Sequence, residues 1–196
     1  MEMDNDIKKL LTKTALITIA ALIGAGILIF SLWILISPQS MASFSEELGN
    51  YKFAVTCSEL KYKYSGSTED LARCAEDSIL SGKDKLILEY CGQLKDKSDF
   101  NELCLHRDGE LKQTQFGQHT GDYKTYILGN LAVAQYRAGD LKKAVETAEL
   151  GKKECFTKLV LEIILKGTEE DAKNVQTYPK SEEAIKYIQE IINSAK

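Results

Sequence analysis

Five cysteines and two histidines are the residues of this chain best equipped for chemistry. A thiolate can attack, ligate or crosslink, and an imidazole can carry a proton or bind a metal. Cys104-x-His106, taken with Cys91 and His119, comes nearest to a metal set. Neither CxxC nor HxxxH spacing accompanies it, so no metal site is expected. No Cys–His nucleophile pair stands out either, and Cys155 is the one candidate for a thiol enzyme. The chain has no GxSxG, no phosphate-binding GKS or GKT loop, no HExxH and no dinucleotide glycine fingerprint. The expectation is a non-enzyme that needs no cofactor.

The cysteines are spaced for crosslinks instead. Cys57 and Cys74 lie equally far from the Ser65–Gly66 break, and Cys91 and Cys104 equally far from Lys97–Ser98. This spacing predicts the disulfides Cys57–Cys74 and Cys91–Cys104, each stapling one helical hairpin and each worth about 3 kcal/mol. The rival pairing is Cys74–Cys91, symmetric about Gly82. Helix axes about 8–10 Å apart strain either scheme, because bridged Cα atoms must approach within about 7 Å. Cys155 is left over, as a buried small hydrophobe or as a site of intermolecular pairing.

Disulfides require an oxidising compartment, and Thr14–Ser37 supplies a route to one. This run holds no charged residue and reaches about 36 Å as a helix, enough to cross a hydrocarbon core of about 30 Å. Lys8, Lys9 and Lys13 precede it, and the next basic residue is Lys52. The positive-inside rule then puts residues 1–13 in the cytosol as a tail, 14–37 in the membrane as an anchor, and 38–44 outside as a linker. A domain over 45–196 follows, at a bacterial inner membrane facing the periplasm or at a cell surface. Trp33 fits an interfacial aromatic at the distal end. The rival reading is a cleaved signal peptide, for which Ser40-Met41-Ala42 has the small-x-small form, although the apolar run exceeds the usual 7–15 residues. That reading makes the product a secreted or envelope protein. Ala20-x-x-x-Gly24 and Ala21-x-x-x-Ala25 form a small-residue ridge on which helices could pack, which allows self-association.

The domain reads as all-α. Only two prolines occur, and no segment alternates with a period of two. Helices are expected at about Ser45–Tyr64 behind a Ser43…Glu46 capping box, Ser67–Leu80, Asp84–Asp96, and Asp99–Leu111. Residues 112–121 form the longest expected loop and a possible seam. Further helices follow at about Asp122–Ala138, Leu141–Lys152 and Glu154–Lys166. A short turn is capped by Thr168, and a terminal helix opens at Pro179 and Ser181 with Ala184, Ile185, Ile188, Ile191 and Ile192 on one face. Of 25 Lys and Arg and 29 Asp and Glu, three of each lie in the tail, so the domain has no basic excess. Nucleic acid and anionic lipid are therefore poor partners for it.

Leu131-Ala132, Tyr136, Gly139-Asp140-Leu141, Ala144 and Ala148 resemble a tetratricopeptide repeat, a helix hairpin of about 34 residues. Two landmarks differ: the terminal proline is missing and Gly151 stands where alanine is usual. Cys57 and Cys91 lie one repeat length apart, which suggests degenerate repeats upstream. The layout is also similar to that of an ancillary subunit of the bacterial secretion translocon. The resemblance implies an α-solenoid of hairpins behind a single transmembrane helix. It also implies a concave face on which Tyr126, Asn130, Val133 and Arg137 meet a protein or peptide partner. The bland alternative is an irregular helical bundle. The expected function is a membrane-anchored scaffold, with the secreted stapled protein and the thiol enzyme as alternatives.

Overall fold

The computed structural model describes residues 2–111 and 122–194; the expected seam at 112–121, with His119, lies outside them, as do the side chains of Ile191 and Ile192. Among the described residues the chain forms eleven helices and no strand. Helix α1 (Glu2–Ile36) contains the apolar run, and its stretch Ile7–Ile36 is long and apolar enough to cross a membrane.

The expected linker is helical. Ser37 leaves helical geometry, Pro38 opens α2 (Pro38–Glu47), and Pro38, Met41, Ala42 and Ser45 are buried. Proline suits this first position because its missing N–H is not needed there. The expected Ser45–Tyr64 helix is thus two helices. Gly49, at a φ of 70°, lets the chain reverse after α2. The Asn50 side chain then caps α3 (Tyr51–Ser65) by accepting from the Phe53 N–H. Ser43 sits inside α2 and accepts a hydrogen bond from Arg73 rather than capping a helix.

Later boundaries follow local chemistry. Ser67 caps α4 (Thr68–Ser81) through the Asp70 N–H at 3.1 Å. Then come α5 (Asp84–Lys95), α6 (Phe100–Leu111) and α7 (Tyr123–Arg137), the last capped by Asp122. Asp140 caps α8 (Leu141–Glu149), whose Ala144, Val145 and Ala148 are buried as their spacing implied. Next are α9 (Lys153–Lys166) and α10 (Glu169–Gln176), which opens with a full Thr168–Asp171 capping box. The last is α11 (Lys180–Ser194), in which Ser181 lies one residue inside the start.

The helices pack as a row in the order α2, α3, α4, α5, α7, α9, α11, with α6 against α7 and α4, α8 behind α7 and α9, and α10 beside α9 and α11. Helix α7 is the hub. Residues all round it are buried, from Tyr123 and Ile127 to Leu131 and Ala134, which marks a helix enclosed by protein. One large core runs through the row from Val55 to Ala184. A second, small cluster of Met41, Ala42 and Cys57 packs with Ile34 of α1 and Phe53 of α3, joining the apolar helix to the body.

Candidate partner-binding face

Tyr126, Asn130, Val133 and Arg137 do lie along one face of α7, but that face is covered by the chain itself. Asp122 starts the helix, accepting from the Thr125 N–H at 2.7 Å and from Lys152 Nζ at 2.6 Å. Tyr126 and Val133 are each 7% exposed and belong to the interior. Asn130 Nδ2 donates to the Tyr126 carbonyl at 2.7 Å, while its Oδ1 accepts from Lys158 Nζ of α9 at 2.6 Å. Arg137 donates to Glu162 of α9 at 2.8 Å and to Asp84, the first residue of α5, at 3.2 Å. Close approach of α9 is possible because residue 129 is glycine; a methyl there would meet Lys158 Cδ at 3.3 Å. What stays open is a polar rim of Asn130, Lys158, Arg137, Glu162 and Asp84. The Arg137 side chain is 38% exposed and that of Asp84 36%.

Electrostatics agree with this geometry. The hydrogen bond from Arg137 holds the Glu162 carboxyl below the usual range, and that same bond raises Arg137. Partial loss of water where it lies against α7, with the Arg137 charge adding to it, lowers the Lys158 ammonium on this open rim. A side chain whose charge is already satisfied across α7, α9 and α5 presents its remaining edge, not a free charge, to a partner.

The predicted disulfides Cys57–Cys74 and Cys91–Cys104 are not formed: all five cysteines are free and buried. Equal distance from a turn sets height along a hairpin but not direction around a helix of 3.6 residues per turn. Cys57 faces α2 and the end of α1, in the small cluster, whereas Cys74 belongs to the large core. Cys91 lies with its sulfur 3.9 Å from the Ala75 carbonyl of α4, and Cys104 packs α6 into the core. Burial pushes the thiols of Cys91, Cys104 and Cys155 up to about 12, and raises Cys57 and Cys74 as well. Thiols so disfavoured as thiolates are poor nucleophiles. Cys104 and His106 point apart, the first buried and the second exposed beside Glu69. Among the described residues no three His, Cys, Asp or Glu side chains group as metal ligands.

Sequence reasoning missed an ionic network, partly buried where α2, α3, α4 and α6 meet. Ser58 of α3 donates to Asp77 at 2.6 Å, Arg73 lies 4.0 Å from Asp77, and the Arg73 guanidinium is bound by Glu46 of α2. Beside it, Glu76 faces Arg107 of α6 at 3.7 Å, and Arg107 also meets Glu69 at 3.0 Å. Burial raises both the Glu76 and Asp77 carboxyls, Asp77 to about 8. A signal was present: Asp77 is three residues after Cys74, inside the apolar stripe of α4, where an acid needs a partner.

A shallow cleft of about 450 Å³ opens between the start of α4 and α6, lined by Glu69, Asp99, Glu102 and His106 among others. No family model, curated protein or solved structure matches the chain.

Proposed function

We propose that the chain is a single-pass, membrane-anchored helical scaffold whose body binds a protein or peptide outside the cytosol. The observation that carries this is α1: an apolar helix of membrane-crossing length, exposed along its middle, joined to a body with its own buried core. Three lysines before the apolar run and none just after it favour a body outside the cytosol. The successive packing of α5, α7, α9 and α11, with α8 and α10 beside them, supports a tetratricopeptide-like array.

The partner contacts we assign are the rim residues Asn130 and Arg137; Tyr126 and Val133 serve the interior. Affinity capture from solubilised membranes tests this. Asn130→Ala with Arg137→Ala is expected to lose a partner that the unaltered chain retains. Equal recovery by both refutes the rim. Cleavage after Ala42 fits less well, since it would cut inside α2 and strip Met41 and Ala42 from the cluster that covers Cys57. A mature N-terminus at Ser43, read by mass spectrometry, would restore it.

The five unpaired thiols favour one second reading, the same scaffold with its body in the reducing cytosol. Labelling of Leu165→Cys by a membrane-impermeant maleimide in intact cells decides between the two. Reaction before permeabilisation supports the exported body, and reaction only afterwards supports the cytosolic one.

A further inference from the structure

We propose that the end of the body nearest α1 is a membrane seat. Phe44, Leu48 and Phe53 occupy the boundary between headgroups and acyl chains of the adjoining leaflet, with phospholipid as their occupant. The inference rests on α1 being a span, and it holds for either orientation of the body.

Two ring contacts fix the height of this surface. Phe53 of α3 stacks on Phe30 of α1 with ring centroids 6.0 Å apart, and Phe44 of α2 packs on Trp33 at 5.8 Å. Phe30 precedes the end of α1 by six residues, which is about 9 Å of helix. The body therefore does not hang above the span on a tether; its own residues reach down alongside it. Ile7–Ile36 would run about 45 Å, longer than a core of about 30 Å. If the core begins after Lys13, it extends to about residue 34, and Phe30 with Phe53 lies inside it. If it begins nearer Lys9, it ends close to residue 30, and the same pair lies at its boundary. Both settings put Phe53 at or below the level of the lipid headgroups.

The exposed side chains at that level suit such a place. Phe44 is 41% exposed and Leu48, at the tip of the turn before Gly49, is 68% exposed. They lie one helical turn apart, and Phe44 adjoins Trp33 near the end of α1, where Trp33 and Ile36 are 42% and 80% exposed. Of the nearby acids, Glu46 turns inward to Arg73. Exposed Glu47 and Lys52 flank the patch with opposite signs. Nothing there selects an anionic headgroup, so the attraction is apolar burial of the kind that holds interfacial helices about 5–10 Å into a leaflet.

The experiment uses the full chain, one copy per lipid nanodisc, with nitroxide-labelled lipid as quencher. Trp33 is the single tryptophan, so its native fluorescence reports whether α1 is inserted. Leu48→Cys just after α2 and Leu165→Cys on α9, 68% and 71% exposed with four helices of the row between them, each receive an environment-sensitive probe. The five native thiols are buried and stay unlabelled. The expected result has three parts: Trp33 is quenched, the probe at 48 is blue-shifted, and it is quenched about threefold more than the probe at 165. The pattern should be the same in phosphatidylcholine alone and with phosphatidylglycerol added. A quenched Trp33 with equal, water-like probes at 48 and 165 overturns the seat while leaving the anchor intact. A blue-shifted but unquenched probe at 48 shows protein covering the patch and overturns it too. Quenching only with phosphatidylglycerol shows charge attraction and overturns the apolar account. An unquenched Trp33 removes the anchor and the seat together.

Discussion

Asp77→Asn tests whether the network where α2, α3, α4 and α6 meet holds a proton at neutral pH. The carboxyl is 1% exposed and takes the Ser58 hydroxyl at 2.6 Å, but its nearest cation, Arg73, is committed to Glu46. Burial raises Asp77 most; Ser58 pulls it back, and the neighbouring Glu46 carboxylate raises it again. An unfolded aspartate titrates near about 3.9. The folded protein therefore binds one more proton than the unfolded chain from about pH 4 up to the raised folded value, and stability falls as pH rises through that window. A full proton of difference makes stability fall with pH, so Asp77 should cost about 2–3 kcal/mol between pH 5 and pH 7. Asparagine keeps an acceptor for Ser58 and offers an N–H toward Glu46, yet cannot titrate. Urea unfolding of the full chain in detergent micelles, followed by circular dichroism, reads the difference. The variant should gain on the unaltered protein steadily from pH 5 to pH 7, while Glu76, whose buried carboxyl is raised too, contributes to both curves alike. Parallel pH curves for the two proteins would refute the assignment of the proton to Asp77.

Gly167→Ala should cost about 2–3 kcal/mol in the same unfolding assay. A methyl there meets the Ile163 carbonyl oxygen at 2.5 Å and also the Tyr136 hydroxyl, which is tied to Asp171. Gly151→Ala should cost about 1–2 kcal/mol by the same measurement, because its methyl would lie 2.8 Å from Cys155 Cβ. Asp122→Ala removes the cap of α7 and should cost about 1 kcal/mol at pH 7. Burial raises the Asp122 carboxyl, but hydrogen bonds from Lys152 and Thr125 outweigh it and leave it below the usual range. That contribution is present at neutral pH and is lost as pH falls through the folded value, so the variant and the parent should converge in acid. No thiol should react with maleimide in the native protein, and mass spectrometry after unfolding should count five reduced cysteines; two disulfides would restore the stapled hairpins.

Much of the helical pattern was legible because its punctuation is local. Ser67, Asp122, Asp140 and Thr168 each accept from an N–H three residues ahead, and Gly66 and Gly82 end helices at positive φ. Such signals depend on neighbours in sequence and survive whatever the tertiary fold does. The miss at residues 38–50 has the opposite origin. Ser43…Glu46 has the spacing of a capping box, but Pro38 is a stronger start, and Ser43 and Glu46 are both drawn to Arg73 on α4. A partner so far along the chain leaves no local mark.

The candidate face shows where repeat-based reasoning stops. Position on α7 correctly grouped Tyr126, Asn130, Val133 and Arg137, because helical spacing alone puts them on one side. It could not say whether that side is a groove, since the answer depends on how closely the next helices approach. Gly129 and Gly151 both stand where α9 comes close to its neighbours. The first lets α9 close on α7 near Lys158, and the second leaves room for Cys155 where a repeat alanine would put its methyl. The glycine that departs from the repeat pattern is what leaves room for the Cys155 side chain at the start of α9. Enlarging residue 151 should therefore push α9 away from α7 and raise the exposure of Tyr126. Hydrogen exchange at residues 126–133 measures that loosening directly. Unchanged protection there, alongside the expected loss of stability, would show that the strain is relieved at the turn before α9 rather than between the two helices.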